Sequence, residues 1–239
     1  MPLIAAIDLW KGQAVRLRQG DFSSPEVISQ NPLEVGEKLL QWGISWWHIV
    51  DLEGAKEGKL IQKALLSAMR RSFPDVRMNL AGGLRTREAV EWGAAEGFDY
   101  LVIGSAAVEA PTEVQQWLKL YSPQRFILAT DLKGSLIAIR GWQTAVALPV
   151  KEFFTRWIGE GVQTFLCTEV ERDGMMSGPN LALYQELVAE AHPADIIASG
   201  GIRHSRDIRA LEALGVKAVI VGKALYKDPQ AFGEILTSA

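Results

Sequence analysis

The chain has a single cysteine, Cys167, so it can form no disulfide within itself. Cys167 lies in the apolar run "TFLC", where a buried structural thiol is expected rather than a nucleophile. Histidine is nearly as scarce. His48, His192 and His204 show no metal-ligand spacing, so no metal site is predicted. Neither a P-loop nor a G-x-G-x-x-G fingerprint is present, and no cofactor is expected. No apolar run approaches the length of a membrane span. The opening "MPLIAAIDLW" lacks a basic segment and is interrupted by Asp8, which argues against a signal peptide; a cytoplasmic protein with no membrane partner is expected. Positive charge is not in excess either. A formal charge of -3 speaks against a nucleic-acid binder working by bulk electrostatics, while leaving room for local positive sites. No linker or low-complexity stretch divides the 239 residues, so one domain is expected over 1–239, as a monomer.

Apolar residues make up 48% of the chain, enough for a large core. They gather in eight short runs that predict strands: Leu3–Ile7, Trp47–Val50, Val76–Leu80, Tyr100–Ile103, Phe126–Ala129, Thr164–Cys167, Ile196–Ala198 and Ala218–Val221. Each run is almost continuously apolar, as parallel strands covered on both faces require. Between them lie segments such as "NPLEVGEKLLQWG", "TREAVEWGAAEG", "VKEFFTRWIGEG" and "SRDIRALEALG". Their apolar residues recur at helical intervals, and glycine marks their ends. Eight strands alternating with helices predict a (βα)8 TIM barrel, and the length is close to the ~250 residues usual for one.

The two halves repeat. "LAGGLR" returns as "ASGGIR", with Gly82 and Gly200 118 positions apart, and "VIGSAAV" returns as "IVGKALY" at the same offset. Asp8 in "AIDLWKG" and Asp131 in "ATDLKG" match at an offset of 123, so a few residues were inserted or lost between the blocks. Two motifs at one offset predict duplicated half-barrels.

In such barrels the active site forms at the C-terminal ends of the strands, often with a phosphate site after strands 7 and 8. Phosphate there is held by backbone N–H groups and a helix N-terminus, which need glycine so that nothing blocks the oxygens. Gly200, Gly201, Gly222 and Lys223 therefore read as one phosphate site, and Gly82, Gly83, Gly104 and Ser105 as its duplicate. Ordinary turns are the alternative reading of the glycine pairs. Two phosphate sites imply a small-molecule substrate with a phosphate at each end. Asp8 and Asp131 end strands 1 and 5, opposite each other in an eight-strand ring. Facing carboxylates can work as base and acid once their environments separate them. Capping a following loop is the alternative for each. Asp51 also ends a strand, and Glu169 is its counterpart in the repeat. Thr168 either assists a reacting oxygen or orients Asp131, or is simply a β-branched strand residue. Trp142, in "IRGWQ", is expected on a loop over the mouth, where it could stack on a heteroaromatic ring.

Taken in order, "IAAIDLWKGQAVRLRQGDF", "HIVDLEGAKEG", "AGGLR", "VIGSAAV", "IRGWQ", "TEVERDG", "SGPN", "ASGGIR" and "VIVGKALY" resemble the ProFAR isomerases of histidine biosynthesis. ProFAR is phosphoribosylformimino-5-aminoimidazole carboxamide ribotide. The resemblance covers almost the whole chain and implies an Amadori rearrangement: the phosphoribosylamine ring opens, and a proton leaves C2 to give the aminoketose PRFAR. It further implies Asp8 as general base, Asp131 as general acid with Thr168 assisting, and Arg16 and Arg85 as substrate contacts. Met175 stands where the family commonly has a threonine, and "AGGLR" departs from its commoner GGGIR or SGGIR. The Arg140–Trp142 segment also resembles dual-substrate enzymes that isomerise phosphoribosylanthranilate. A sister cyclase and a non-catalytic phosphosugar-binding barrel are the competing readings. The cyclase normally starts with a "CLD" where this chain has "AID", and a mere phosphate binder needs neither aspartate.

Overall fold

The computed structural model describes residues 1–17, 20–134 and 136–236. Its core is a ring of eight strands: β1 (Leu3–Trp10), β2 (Trp46–Asp51), β3 (Arg77–Ala81), β4 (Tyr100–Ile103), β5 (Phe126–Lys133), β6 (Thr164–Glu169), β7 (Asp195–Ser199) and β8 (Ala218–Val221). Each strand pairs in parallel with the next, and β8 pairs with β1 to close the ring. Helices alternate with the strands, so the fold is a (βα)8 barrel.

The apolar runs form strands because both faces are buried. Ile4, Ala6, Val102, Ile127, Leu166, Ile197 and Ile220 pack together as one cluster inside the ring. Their neighbours along the strands, such as Leu3, Ala5 and Ile7, join the larger cluster beneath the helices. Helix starts follow local chemistry. Asn31 caps Pro32–Gln41 by accepting from the Leu33 N–H, and Thr86 caps Arg87–Ala95 by accepting from that of Ala89.

Five of the eight strands run longer than their apolar cores predict, β1 and β5 by the most. β1 and β5 each extend to eight residues because a following strand folds back on them, Gln13–Arg16 on β1 and Leu136–Ile139 on β5. Each returning strand pairs with a third, Glu26–Ser29 or Thr144–Val146. These extensions locate the change of offset between the halves. Asp8 opposite Val15 and Asp131 opposite Ala138 still match at 123, whereas the third strands and the barrel strands after them match at 118. The segment joining second to third strand spans 17–25 in the first half and 140–143 in the second, which is the five-residue difference.

Candidate active site

Asp8 and Asp131 sit two residues short of the ends of strands that face each other across the ring, not at the strand termini themselves. Each marks the place where the barrel gives way to its returning hairpin. Asp8 pairs with Val50 of β2 on one side and Val15 on the other, and Asp131 with Thr168 of β6 and Ala138. The same cavity is lined by the residues expected to act on or bind the substrate, Asp8, Asp131, Thr168, Arg16, Arg85, Ser105, Trp142, Lys223 and the glycines 82, 83, 104, 200, 201 and 222, but not by Asp51 or Glu169.

The two aspartates live in different surroundings. Arg16 Nη1 donates to Asp8 Oδ2 at 2.7 Å, and its Nη2 donates to the Ala6 carbonyl. The guanidinium lies 4.8 Å from the centre of the Tyr226 ring, and the Tyr226 hydroxyl donates to the same Ala6 carbonyl at 2.7 Å. Arg16 is only 7% exposed. Burial opposes its charge, but Asp8, Tyr226 and Asp173 together hold it protonated. Among the described residues no cation pairs with Asp131. Burial pushes its carboxyl above the usual range, while donors from Trp142 and Thr168 pull it partly back.

Asp173 is a third carboxylate lining the cavity, in the loop after β6. Burial and the Asp8 charge push it up to about 7, against Arg16 and with a smaller push from Asp131. The "RDG" that carries it stands in the sequence like any turn, and only its reach back across the ring marks it. His48, projecting from β2 into the cavity, is lowered to about 4 by burial and by Arg16, so it is neutral near pH 7.

Both glycine pairs owe their identity to backbone geometry. Gly82 and Gly83 have φ of 88° and 77°, Gly200 and Gly201 of 97° and 79°. A Cβ on Gly82 would lie 2.1 Å from the Asp51 carbonyl oxygen, and one on Gly201 2.5 Å from that of Gly178. The pairs thus let neighbouring strand-end loops close over one another at the cavity wall. Gly104 and Gly222 differ from them, with negative φ, each preceding a five-residue helix, Ser105–Glu109 and Lys223–Lys227.

Other side chains serve the loops. Asp51 is fully buried and accepts from the backbone N–H groups of Gly54, Ile61 and Gln62 at 2.7–2.9 Å, a loop-capping arrangement. Its counterpart Glu169 pairs with Arg172 at 2.9 Å. Ser105 Oγ accepts from the Arg140 N–H at 2.8 Å, and Arg140 and Arg85 both approach Glu109, at 2.6 and 4.0 Å. Arg85 also donates to the Ala55 carbonyl at 3.1 Å. Lys223 is about one-third exposed, 3.8 Å from Glu26. Trp142 occupies the tight turn between Leu136–Ile139 and Thr144–Val146 at φ 67°, and its indole N–H donates to Asp131 Oδ2 at 2.7 Å. Met175 is exposed, whereas Cys167 is buried. Among the described residues no three His, Cys, Asp or Glu side chains gather as a metal site, and no helix is long and apolar enough to cross a membrane.

Comparison with known proteins agrees with the geometry. The family model described as "Histidine biosynthesis protein" matches residues 2–230. A protein of Thermomicrobium roseum named 1-(5-phosphoribosyl)-5-((5-phosphoribosylamino)methylideneamino) imidazole-4-carboxamide isomerase is 40% identical over 97% of this chain and 95% of its own. Proteins of the same name from Lactiplantibacillus plantarum and Flavobacterium johnsoniae are 38% and 33% identical, over 98% and 95% of this chain and 97% and 94% of theirs. With the closed barrel, the mirrored aspartates and a match along nearly its whole length, the chain belongs to the histidine biosynthesis protein family.

Proposed function

We propose that the chain isomerises ProFAR to PRFAR by an Amadori rearrangement, as a cytoplasmic monomer that needs no metal or organic cofactor. The observation that carries this reading is the pair of mirrored aspartates with unlike neighbours in one cavity. An aldose-to-ketose shift is an internal redox change within one substrate, so a proton donor and a proton acceptor on opposite sides suffice. Asp131, raised by burial, gives its proton to the ring oxygen as the C1–O bond breaks and the nitrogen lone pair forms an iminium. Asp8, salt-bridged to Arg16, then takes the proton from C2. The C–H electrons form the C1=C2 bond, neutralising the nitrogen, and the resulting enol becomes the ketose when C1 gains a proton and the C2 hydroxyl gives its proton up.

The rest of the cavity suits a bisphosphorylated substrate. Glycine-rich backbone lies at both sides, after β3 and β4 and again after β7 and β8, with Lys223 and Arg85 to balance charge. Trp142 is placed to cover the substrate while its indole touches Asp131. Asp173, protonated up to about pH 7, adds no fixed negative charge beside Asp8 at lower pH. Incubating the purified protein with ProFAR and following PRFAR by absorbance tests the reading. Formation of PRFAR at enzymatic rates supports it, and no conversion overturns it. Phosphoribosylanthranilate run in parallel tests the dual-substrate alternative.

A further inference from the structure

Duplication provides an internal comparison, because each neighbour of Asp8 has a positional counterpart near Asp131. At the offset of 123, Arg16 corresponds to Ile139. At the offset of 118, Tyr226 of helix Lys223–Lys227 corresponds to Val108 of helix Ser105–Glu109. One aspartate is thus flanked by a cation on a phenol ring, where the other half of the barrel carries two aliphatic residues. The preceding glycines show the same asymmetry. A Cβ on Gly222 would stand 3.2 Å from Arg16 Cζ, whereas a Cβ on Gly104 would meet only the Ala129 Cβ, at 3.7 Å. Gly222 therefore makes room for the guanidinium, a task Gly104 does not have.

The Arg16 fork spans two acceptors on one strand, the Asp8 carboxylate and the Ala6 backbone carbonyl two residues before it. A third group competes for it, since the Asp173 charge also attracts Arg16 from the loop after β6. His48 faces Arg16 from β2, and Lys223 lies one turn from Tyr226 on the same helix. What keeps the guanidinium over Asp8 is the Tyr226 ring beneath it, itself tethered through its hydroxyl to the Ala6 carbonyl.

Resting on the isomerase reading above, we propose that Tyr226 is a positioning residue for the base: it fixes Arg16 so that the guanidinium engages Asp8 Oδ2 and Oδ1 faces the substrate C2–H. The proton passes from C2 to Oδ1, and the C–H electron pair becomes the C1=C2 bond of the enolamine. Among the described residues the second half has no such assembly, in keeping with a carboxyl that gives a proton rather than takes one.

The test is steady-state turnover of ProFAR and of ProFAR deuterated at C2 by the full chain and its variants. Tyr226→Val, which installs the kind of side chain found at position 108, should lower kcat at least ~10-fold with KM within about twofold, since misplacement by ~1 Å costs up to ~10²-fold. Its primary isotope effect on kcat should rise above that of wild type, because proton removal from C2 becomes limiting. Tyr226→Phe keeps the ring and should retain most of kcat. Arg16→Lys keeps the charge but loses the flat fork and should show the same raised isotope effect, which carries the test if Tyr226→Val does not fold. Val108→Ala at the mirrored position should leave the isotope effect at its wild-type value. Unchanged kcat in Tyr226→Val, or a loss with no change in isotope effect, overturns the proposal and leaves Tyr226 a packing residue. A wild-type chain inactive on ProFAR instead overturns the isomerase reading, and this inference with it.

Discussion

The indole N–H of Trp142 donates to Asp131 Oδ2 at 2.7 Å, so the turn that crosses the barrel mouth also adjusts the carboxyl assigned as acid. Burial raises Asp131, and this donor, which favours the carboxylate, works against burial. Removing the donor lets the pKa climb further. Because an acid loses activity as pH rises through its pKa, Trp142→Phe should move the basic limb of the kcat/KM profile upward. The shift should be ~0.4–1 pH unit, since a hydrogen bond nets ~0.5–1.5 kcal/mol and one pKa unit is ~1.4 kcal/mol. A basic limb that stays in place would remove Trp142 from any role in tuning Asp131.

The glycines make a prediction about stability that the motif alone would have put on substrate binding. Gly82 is left-handed and packed against the Asp51 carbonyl, so Gly82→Ala pays a backbone penalty of ~1–2 kcal/mol before the clash is counted. Tm should fall by at least ~2 °C in a chain of this size, and by more once the clash is included. Gly104→Ala, with negative φ and only Ala129 Cβ in reach, should lose less Tm and act chiefly on KM. Equal losses of Tm in the two variants would contradict the crowding argument. Gly201, left-handed and against the Gly178 carbonyl, belongs with Gly82, so a bulkier residue there disturbs the fold as well as the substrate.

Asp173 sets a pH dependence of stability. Its carboxyl is held near 7 in the folded chain by burial and by Asp8. As pH rises above the ordinary aspartate range, the unfolded chain has released this proton while the folded chain keeps it. Stability therefore falls with rising pH until Asp173 ionises in both states, near pH 7. Asp173→Asn removes that loss, so its Tm gain over wild type should be larger at pH 8 than at pH 5. Differential scanning calorimetry at the two pH values checks this; an equal difference at both would place Asp173 in an ordinary solvated environment.

The architecture was legible in the sequence because its signals are local. Continuous apolar runs such as "YLVI" and "AVIV" become the strands β4 and β8 unchanged, and the recurrent glycine pairs mark duplicated halves. That the candidate residues gather round one cavity was legible for the same reason, since they stand near strand ends or in the loops that follow. Contacts that join distant parts of the chain were not. Tyr226 meets Arg16 only because β8 closes onto β1, some two hundred residues away in sequence. Asp173 and His48 come near Arg16 from two different loops and strands. Arg16, implied as a substrate contact by the family resemblance, also forks onto Asp8 and Ala6, partners that spacing does not announce. Strand ends were underestimated at β1 and β5 because hairpin pairing, not hydrophobicity, prolongs them.

The division of labour between the twin aspartates is tested most directly by turnover of a pre-opened aminoaldose analogue by Asp8→Asn and Asp131→Asn. Both variants should turn over ProFAR at least ~10²-fold more slowly than wild type, the usual cost of losing an acid–base group. The analogue bypasses ring opening, so it should restore turnover to Asp131→Asn and leave Asp8→Asn inactive. Rescue of Asp8→Asn instead, or near-normal turnover of ProFAR by either variant, would contradict the account.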